Sequence, residues 1–230
     1  MDGMSSRARW RAALQASLPV GLGYLPAGFA FGVLAVQAGL PVWLAILMSV
    51  LVYAGALQYA AIPMMASGAG LAAFALTTLA INLRHVLYAM PLIPSLSRRR
   101  LARYYTLASL TDETYSLVTT MPRDRRAALL LPVSLINQGW WVAGTLVGAL
   151  AGPVLGQHVP NLDFALPCLF LILAIEQYRA SRLWQPVAVG IIALLAARWL
   201  VPAQHVLIVA LGMALVWLAV QAHQEHRSAS

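Results

Sequence analysis

Residues 70–94 read GLAAFALTTLAINLRHVLYAMPLIP, and the fold class turns on this stretch. It is long enough to cross a bilayer, which takes about 20 predominantly apolar residues in a helix. Its middle nevertheless carries Asn82, Arg84 and His85. An ionised side chain at mid-depth costs at least about 2.5–3.5 kcal/mol, so Arg84 predicts a partner, a watery cavity or a segment that does not cross simply. Working outward, further apolar stretches fall at about 14–37, 42–66, 127–150, 162–177, 183–201 and 204–221, separated by turn or charge signals. The expectation is an all-α, polytopic transmembrane helical bundle of about seven membrane segments, some broken or re-entrant, within a single integral membrane domain over 1–230.

Composition excludes the alternatives. With 61% hydrophobic and 10% charged residues, no water-soluble core could bury the apolar surface, so the solvent is a lipid bilayer. The net charge of +8 comes from fifteen basic residues, all arginine, which raises a nucleic-acid partner as a question. Their positions answer it. Arg7, Arg9 and Arg11, then Arg98, Arg99, Arg100 and Arg103, then Arg123, Arg125 and Arg126, and the pair Arg179 and Arg182 sit at segment ends, as in cytoplasmic loops of membrane proteins. The surplus reports orientation, and no nucleic acid is expected. The lone Cys168 allows no intrachain disulfide and no thiolate cluster. The first apolar segment follows a short basic stretch but outruns a signal-peptide core and is read as a retained helix.

Topology narrows the choice of which segment is irregular. Counting simple crossings from a cytoplasmic N-terminus places Arg98–Arg103 outside, against the positive-inside rule. The third segment is the first candidate, breaking at Asn82–His85 and returning to its own side. The first competes, because Pro19, Gly21, Gly23, Pro26 and Gly28 interrupt or kink helices. Between two arginine clusters, Thr106, Ser109, Glu113, Ser116 and Thr120 recur at spacings that put them on one helical face. That polar stripe over 101–120 fits a helix lining a watery path or one lying on the cytoplasmic surface. An internal echo adds a repeat. Tyr53–Tyr59 resembles Leu173–Tyr178, and Arg84–Leu87 resembles Gln204–Leu207, at separations of 119 and 120. These offsets predict two three-segment units, 11–95 and 126–215, joined by 96–125, with a pathway between them.

Polar groups that would be costly against lipid mark that pathway. A solute with charged ends would need donors for an anionic group and acceptors for a cationic one, and the exposed backbone of broken helices offers both. Pro26 and Gly28 supply such a break in the first segment. Gly55 and Gln58 in the second, Asn82, Arg84 and His85 in the third, and Asn137 with Gln138 in the fourth complete the candidate binding set. Asp112, Glu113 and Glu176 are the available counter-charges, for proton coupling or for pairing with Arg84. For the glycines, close helix packing explains the residues equally well. No metal-binding pair, phosphate loop or nucleophile elbow is present, and no cofactor is expected. The competing functions are an ion- or proton-conducting channel and, more remotely, an intramembrane hydrolase using His85 or His205 with a serine.

Four motifs carry a family resemblance over about 11–215: Gly23-Tyr-Leu-Pro26-Ala-Gly28-Phe-Ala-Phe-Gly32, Tyr53-Ala-Gly55-Ala-Leu-Gln58-Tyr59, Asn82-Leu-Arg84-His85-Val-Leu-Tyr88 and Leu110-Thr111-Asp112-Glu113-Thr-Tyr115. Together they resemble the AzlC family, the large subunits of two-component branched-chain amino-acid exporters of the azaleucine-resistance type. Leu57 stands where a serine is usual, which removes a hydroxyl beside Gln58. The resemblance implies a multi-pass protein of a prokaryotic cytoplasmic (inner) membrane. It also implies export of valine, leucine and isoleucine, a small AzlD-type membrane subunit as partner, and no enzymatic activity.

Overall fold

The computed structural model describes residues 5–155 and 182–202, with single positions at 168, 171, 175, 178, 206, 209, 210, 212–214, 216, 217 and 220, but not the side chains of residues 80 and 84. All regular structure among the described residues is helical. Two helical stretches, Ser6–Gln37 and Leu71–Ser95, are long and apolar enough to cross a membrane. The chain divides into two compact units, Met1–Leu171 and Ile172–Ser230. In the second, the helix Gln185–Leu200 is the longest described element, and Ala193, Ala197 and Ala210 form a small core with Val206 and Val209. The apolar stretches expected at 162–177 and 204–221 lie largely outside the described residues, as do Glu176, His205 and most of the second half of the internal echo, 173–178 and 204–207.

The first unit is built on two long helices, α1 (Ser6–Gln37) and α7 (Arg123–Leu155). At 32 and 33 residues, each is about 50 Å long by the 1.5 Å rise. They run in the same direction, with Gly21 against Trp140, Gly28 against Trp141 and Thr145, and Gly152 against Val33 and Val36. Glycines make that seam. A Cβ on Gly28 would lie 2.6 Å from the Trp141 carbonyl oxygen, and one on Gly144 2.5 Å from that of Leu25. Gly32 and Gly148 meet the backbones of Thr145 and Phe29 more tightly still. Such four-residue spacing lets helix backbones approach closely in lipid.

This seam corrects the expectation of a break at Pro26–Gly28. α1 is continuous through Pro19 and Pro26. Each proline removes one backbone bond, and packing along α7 holds the helix across both gaps. The third segment is also unbroken, since α4 spans Leu71–Leu92 through Asn82, Arg84 and His85 and ends in a 3-10 turn at Ile93–Ser95.

The irregular segments are the second and the polar one. Residues 42–66, expected as one crossing, form a helical hairpin of α2 (Val42–Leu51) and α3 (Gly55–Ala66). Gln58 bonds back to Ser49 at 3.0 Å, and the tip holds Tyr53 at φ 41°, a left-handed conformation rare for a bulky residue. The stretch 101–120, expected as one helix, is a second hairpin of α5 (Arg100–Ala108) and α6 (Asp112–Thr119). Its predicted stripe is only partly kept, because Thr106, Ser109 and Glu113 are buried, Ser116 is half-buried and Thr120 is exposed, while Thr114 joins the interior.

The hairpins enter from opposite ends. One core cluster gathers Ala13 of α1, Leu92 of α4, Val118 of α6 and Leu129, Leu130 and Val133 of α7, with Leu96 and Met121 packed on it. The end of α4 therefore sits beside the beginnings of α1 and α7, and α4 runs opposite to them. All three arginine clusters, around residues 7–11, 98–103 and 123–126, follow or precede elements at this end. A segment 42–66 that turns back on itself is the arrangement under which a cytoplasmic N-terminus and the positive-inside rule agree.

Candidate functional site

The two hairpin tips meet beside the middle of α4 around a pocket of about 200 Å³. Val52, Tyr53 and Ala54 line it from the first tip, Leu107, Ala108 and Leu110 from the second, and Asn82 and His85 from α4. Asn82 and His85 stand three residues apart and so share a helix face, and His85 Nδ1 lies 3.1 Å from the Asn82 carbonyl oxygen. His85 stands edge-on to Tyr88, which stacks on Tyr115 of α6 at 4.6 Å. Two buried polar atoms here, Tyr53 Oη and Asn82 Oδ1, make no hydrogen bond among the described residues. Such groups are costly to leave unmade. The first turn of α3 has no side-chain cap at Ala54, so its first backbone N–H groups have no capping side chain.

Behind the pocket, each tip is tied to the α1–α7 frame by buried side chains. For the first hairpin the tie is an amide. Trp141 Nε1 donates to Gln58 Oε1 at 3.0 Å, Gln58 Nε2 donates to Ser49 Oγ at 3.0 Å, and Ser49 Oγ lies 2.8 Å from Thr145 Oγ1. Tyr59 Oη donates to the Ala27 carbonyl oxygen at 2.8 Å. For the second hairpin the tie is a row of hydroxyls ending on a carboxyl. Trp140 Nε1 donates to Ser17 Oγ at 3.1 Å, Ser17 bonds Asn137 Oδ1, and Asn137 Nδ2 donates to Thr114 Oγ1 at 2.9 Å. Thr114 and Thr111 hydroxyls are 3.1 Å apart, Thr111 Oγ1 is 2.7 Å from Tyr24 Oη, and Tyr24 Oη is 2.5 Å from Glu113 Oε2. Thr111 also caps α6, accepting from Thr114 N, and Asp112 and Glu113 occupy the first turn, where acidic groups complement the helix dipole. Tyr24 ends close to both tips, its ring edge-on to Trp141 at 5.4 Å and to Tyr53 at 6.4 Å.

The predicted residues therefore divide. Asn82 and His85 line the pocket, and Gly55 adjoins it, its missing Cβ leaving room for the Trp141 ring. Gln58, Asn137 and Glu113 are buried in the ties behind it, and Asp112 is half-buried beside Glu113. Pro26 and Gly28 belong to the α1–α7 seam and not to an open helix end. Arg84 lies on α4, its side chain outside the described residues, and Glu176 is outside them altogether. Tyr24, Tyr53, Thr111 and Thr114 lie within the sequence motifs but are not among the site residues proposed from sequence, and Trp141 is not singled out at all. Thr111-Asp-Glu-Thr114 did hold a readable signal, a capping threonine followed by acids at a helix start. Tyr53 held none, since its left-handed backbone is imposed by the hairpin.

Compared with known proteins, residues 19–155 match the family model described as AzlC protein. The chain is 30% identical over 193 residues to an uncharacterized membrane protein of Helicobacter pylori, covering 83% of this chain and 85% of the relative. It is 34% identical over 177 residues to inner membrane protein YgaZ of Escherichia coli, covering 72% of each. A Bacillus subtilis protein named branched-chain amino acid transport protein AzlC is 25% identical over 178 residues, covering 76% of this chain and 70% of its own length. No solved structure matches the chain.

Proposed function

The chain belongs to the AzlC family, and on that footing we propose that it is a multi-pass secondary carrier of a cytoplasmic (inner) membrane that exports valine, leucine and isoleucine together with a small AzlD-type membrane subunit. The observation that carries this reading is the pocket between the hairpin tips, where Tyr53 Oη and Asn82 Oδ1 are buried without a hydrogen bond among the described residues. A phenolic O–H offers a donor to a carboxylate and an amide oxygen an acceptor to an ammonium group. Val52, Leu107 and Leu110 supply apolar wall for a branched aliphatic side chain. The pocket is smaller than the roughly 300–1,000 Å³ of drug-sized sites, which favours a small solute. Uncapped backbone at the start of α3 adds donors of the kind broken helices present to substrate carboxylates.

In this reading Asn82, His85 and Arg84 on α4, with Gly55 at the adjoining tip, form the translocation face. Gln58 and Asn137 hold the tips, and Asp112 or Glu113 couples protons or balances Arg84. Hairpins entering from opposite ends provide one closing element for each side of the pocket, as alternating access requires. The relative from Bacillus subtilis, whose name specifies branched-chain amino acid transport, supports the cargo class.

The test is efflux of radiolabelled leucine from vesicles, with and without the small partner. Saturable efflux with counterflow is expected, and Asn82→Ala should slow it about tenfold, equivalent to about 1.4 kcal/mol. Flux that neither saturates nor shows counterflow would identify a channel.

A further inference from the structure

We propose that Glu113 is the group whose protonation resets the second hairpin, and that Tyr24 and Thr111 transmit its charge state to the pocket wall and to α7. The inference deepens the carrier reading and rests on it for the identity of the cargo.

It follows from counting protons. An indole N–H only donates, so Ser17 Oγ accepts from Trp140 Nε1 and gives its own proton to Asn137 Oδ1. Asn137 Nδ2 thereby faces Thr114 Oγ1 as a fixed donor. Beyond Thr114 come three contacts among four oxygens: Thr114 to Thr111 at 3.1 Å, Thr111 to Tyr24 at 2.7 Å and Tyr24 to Glu113 at 2.5 Å. Three contacts need three protons. Tyr24 and Thr111 hold one each, so the third comes from one end of the row.

In the structure Thr111 donates to Thr114, so a charged Glu113 requires that bond to reverse: the third proton is then that of Thr114, and Thr114, Thr111 and Tyr24 each donate toward the carboxylate. When Glu113 Oε2 carries a proton, it donates to Tyr24, Tyr24 to Thr111 and Thr111 to Thr114. Thr114 then accepts from both Thr111 and Asn137, and its own hydrogen leaves the row. No hydroxyl gains or loses a proton overall; the one exchanged is the carboxyl's. The charged row is bound by hydrogen bonds to an ion, which are the stronger kind, and the neutral row is not.

The consequence reaches the pocket because Leu107, Ala108 and Leu110 immediately precede Thr111 and form one of its walls. The groups that face Glu113 are Asp112 on its own helix, Tyr24 from α1 and Tyr53 from the first tip, with Tyr105 of α5 near Tyr53. The first hairpin's tie, through Gln58, Ser49, Trp141 and Thr145, contains no carboxyl or imidazole. Protonation therefore rearranges the tie of the second hairpin, while the first hairpin meets Glu113 only through Tyr53 at its tip.

The experiment is a pH titration by infrared difference spectroscopy on the full-length protein in liposomes. A carboxylic acid C=O band is expected to grow on acidification, to vanish in Glu113→Gln, and to move in frequency and midpoint in both Tyr24→Phe and Thr111→Val. Thr111→Val preserves side-chain shape and serves where Tyr24→Phe does not fold. A band untouched by Glu113→Gln, or unmoved in both row variants, overturns the proposal. The infrared readout needs no cargo, so its failure sinks the row alone, and absent leucine flux with an intact titration sinks the carrier reading alone.

Discussion

The two hairpins are built alike and held differently. Each has two short helices, a tip at the same pocket and a tie to α7. The α2–α3 hairpin is anchored by a neutral amide that accepts from an indole and donates to a serine. The α5–α6 hairpin is anchored by hydroxyls that terminate on a carboxyl. Neutral anchors keep their strength across the physiological pH range, because no member changes charge there. An anchor ending on a carboxyl changes with each proton it takes up. If Glu113 exchanges a proton as proposed, the hold of α7 on the first hairpin is independent of pH and its hold on the second is not.

The largest effect is expected where both hairpins share their support. Gly148→Val places a side chain against the Phe29 backbone, and backbone cannot move aside as a flexible side chain would. Loss of nearly all folded protein is expected, measured as the monodisperse fraction in size-exclusion chromatography after detergent extraction. Gly139→Ala is the control, since nothing lies within 4 Å of the added Cβ, and it should behave as the parent. A well-folded Gly148→Val would mean that α1 and α7 are not the common frame, and the comparison of two hairpins on one scaffold would fail.

Next comes the first anchor by itself. Gln58→Leu keeps the approximate volume but strands the Trp141 indole N–H in a dry interior, which costs about 1–3 kcal/mol. Thermal unfolding in detergent should show that loss equally in acid and in neutral buffer. A loss that depends on pH would erase the distinction between the hairpins.

The sequence reveals the class of fold readily and its irregularities poorly. Apolar runs such as 70–94 are visible because bilayer thickness sets their length. Gly28-x3-Gly32 and Gly144-x3-Gly148-x3-Gly152 were visible too, and the packing reading of the glycines is the one the α1–α7 seam bears out. Prolines misled, because Pro19 and Pro26 sit inside a helix whose neighbour supports it, whereas the actual turn falls at Leu51–Ala54, where no residue is a helix breaker. A hairpin tip of that kind is stabilised by contacts from α1 and α7, far away in sequence, and local propensity carries no trace of them. The site was half legible for the same reason. Asn82 and His85 declare themselves as polar groups at helical spacing in an apolar run, but Tyr24 and Tyr53 are aromatic residues among apolar ones until the fold brings their hydroxyls to the tips.

The smallest expected effect discriminates most finely between a tip built for holding the fold and one built for holding a ligand. Tyr53 Oη is buried and makes no hydrogen bond among the described residues, so Tyr53→Phe removes a polar group that is not held by any of them. Stability should be unchanged or slightly raised, because deleting an unmade hydrogen bond removes a desolvation cost. If that hydroxyl meets the carboxylate of the cargo, leucine binding should weaken roughly two- to twelve-fold, the equivalent of one lost hydrogen bond of about 0.5–1.5 kcal/mol. Equilibrium binding of labelled leucine alongside the melting curve separates the two. Reduced stability with unchanged binding would make Tyr53 a structural residue and leave the first tip without a ligand role.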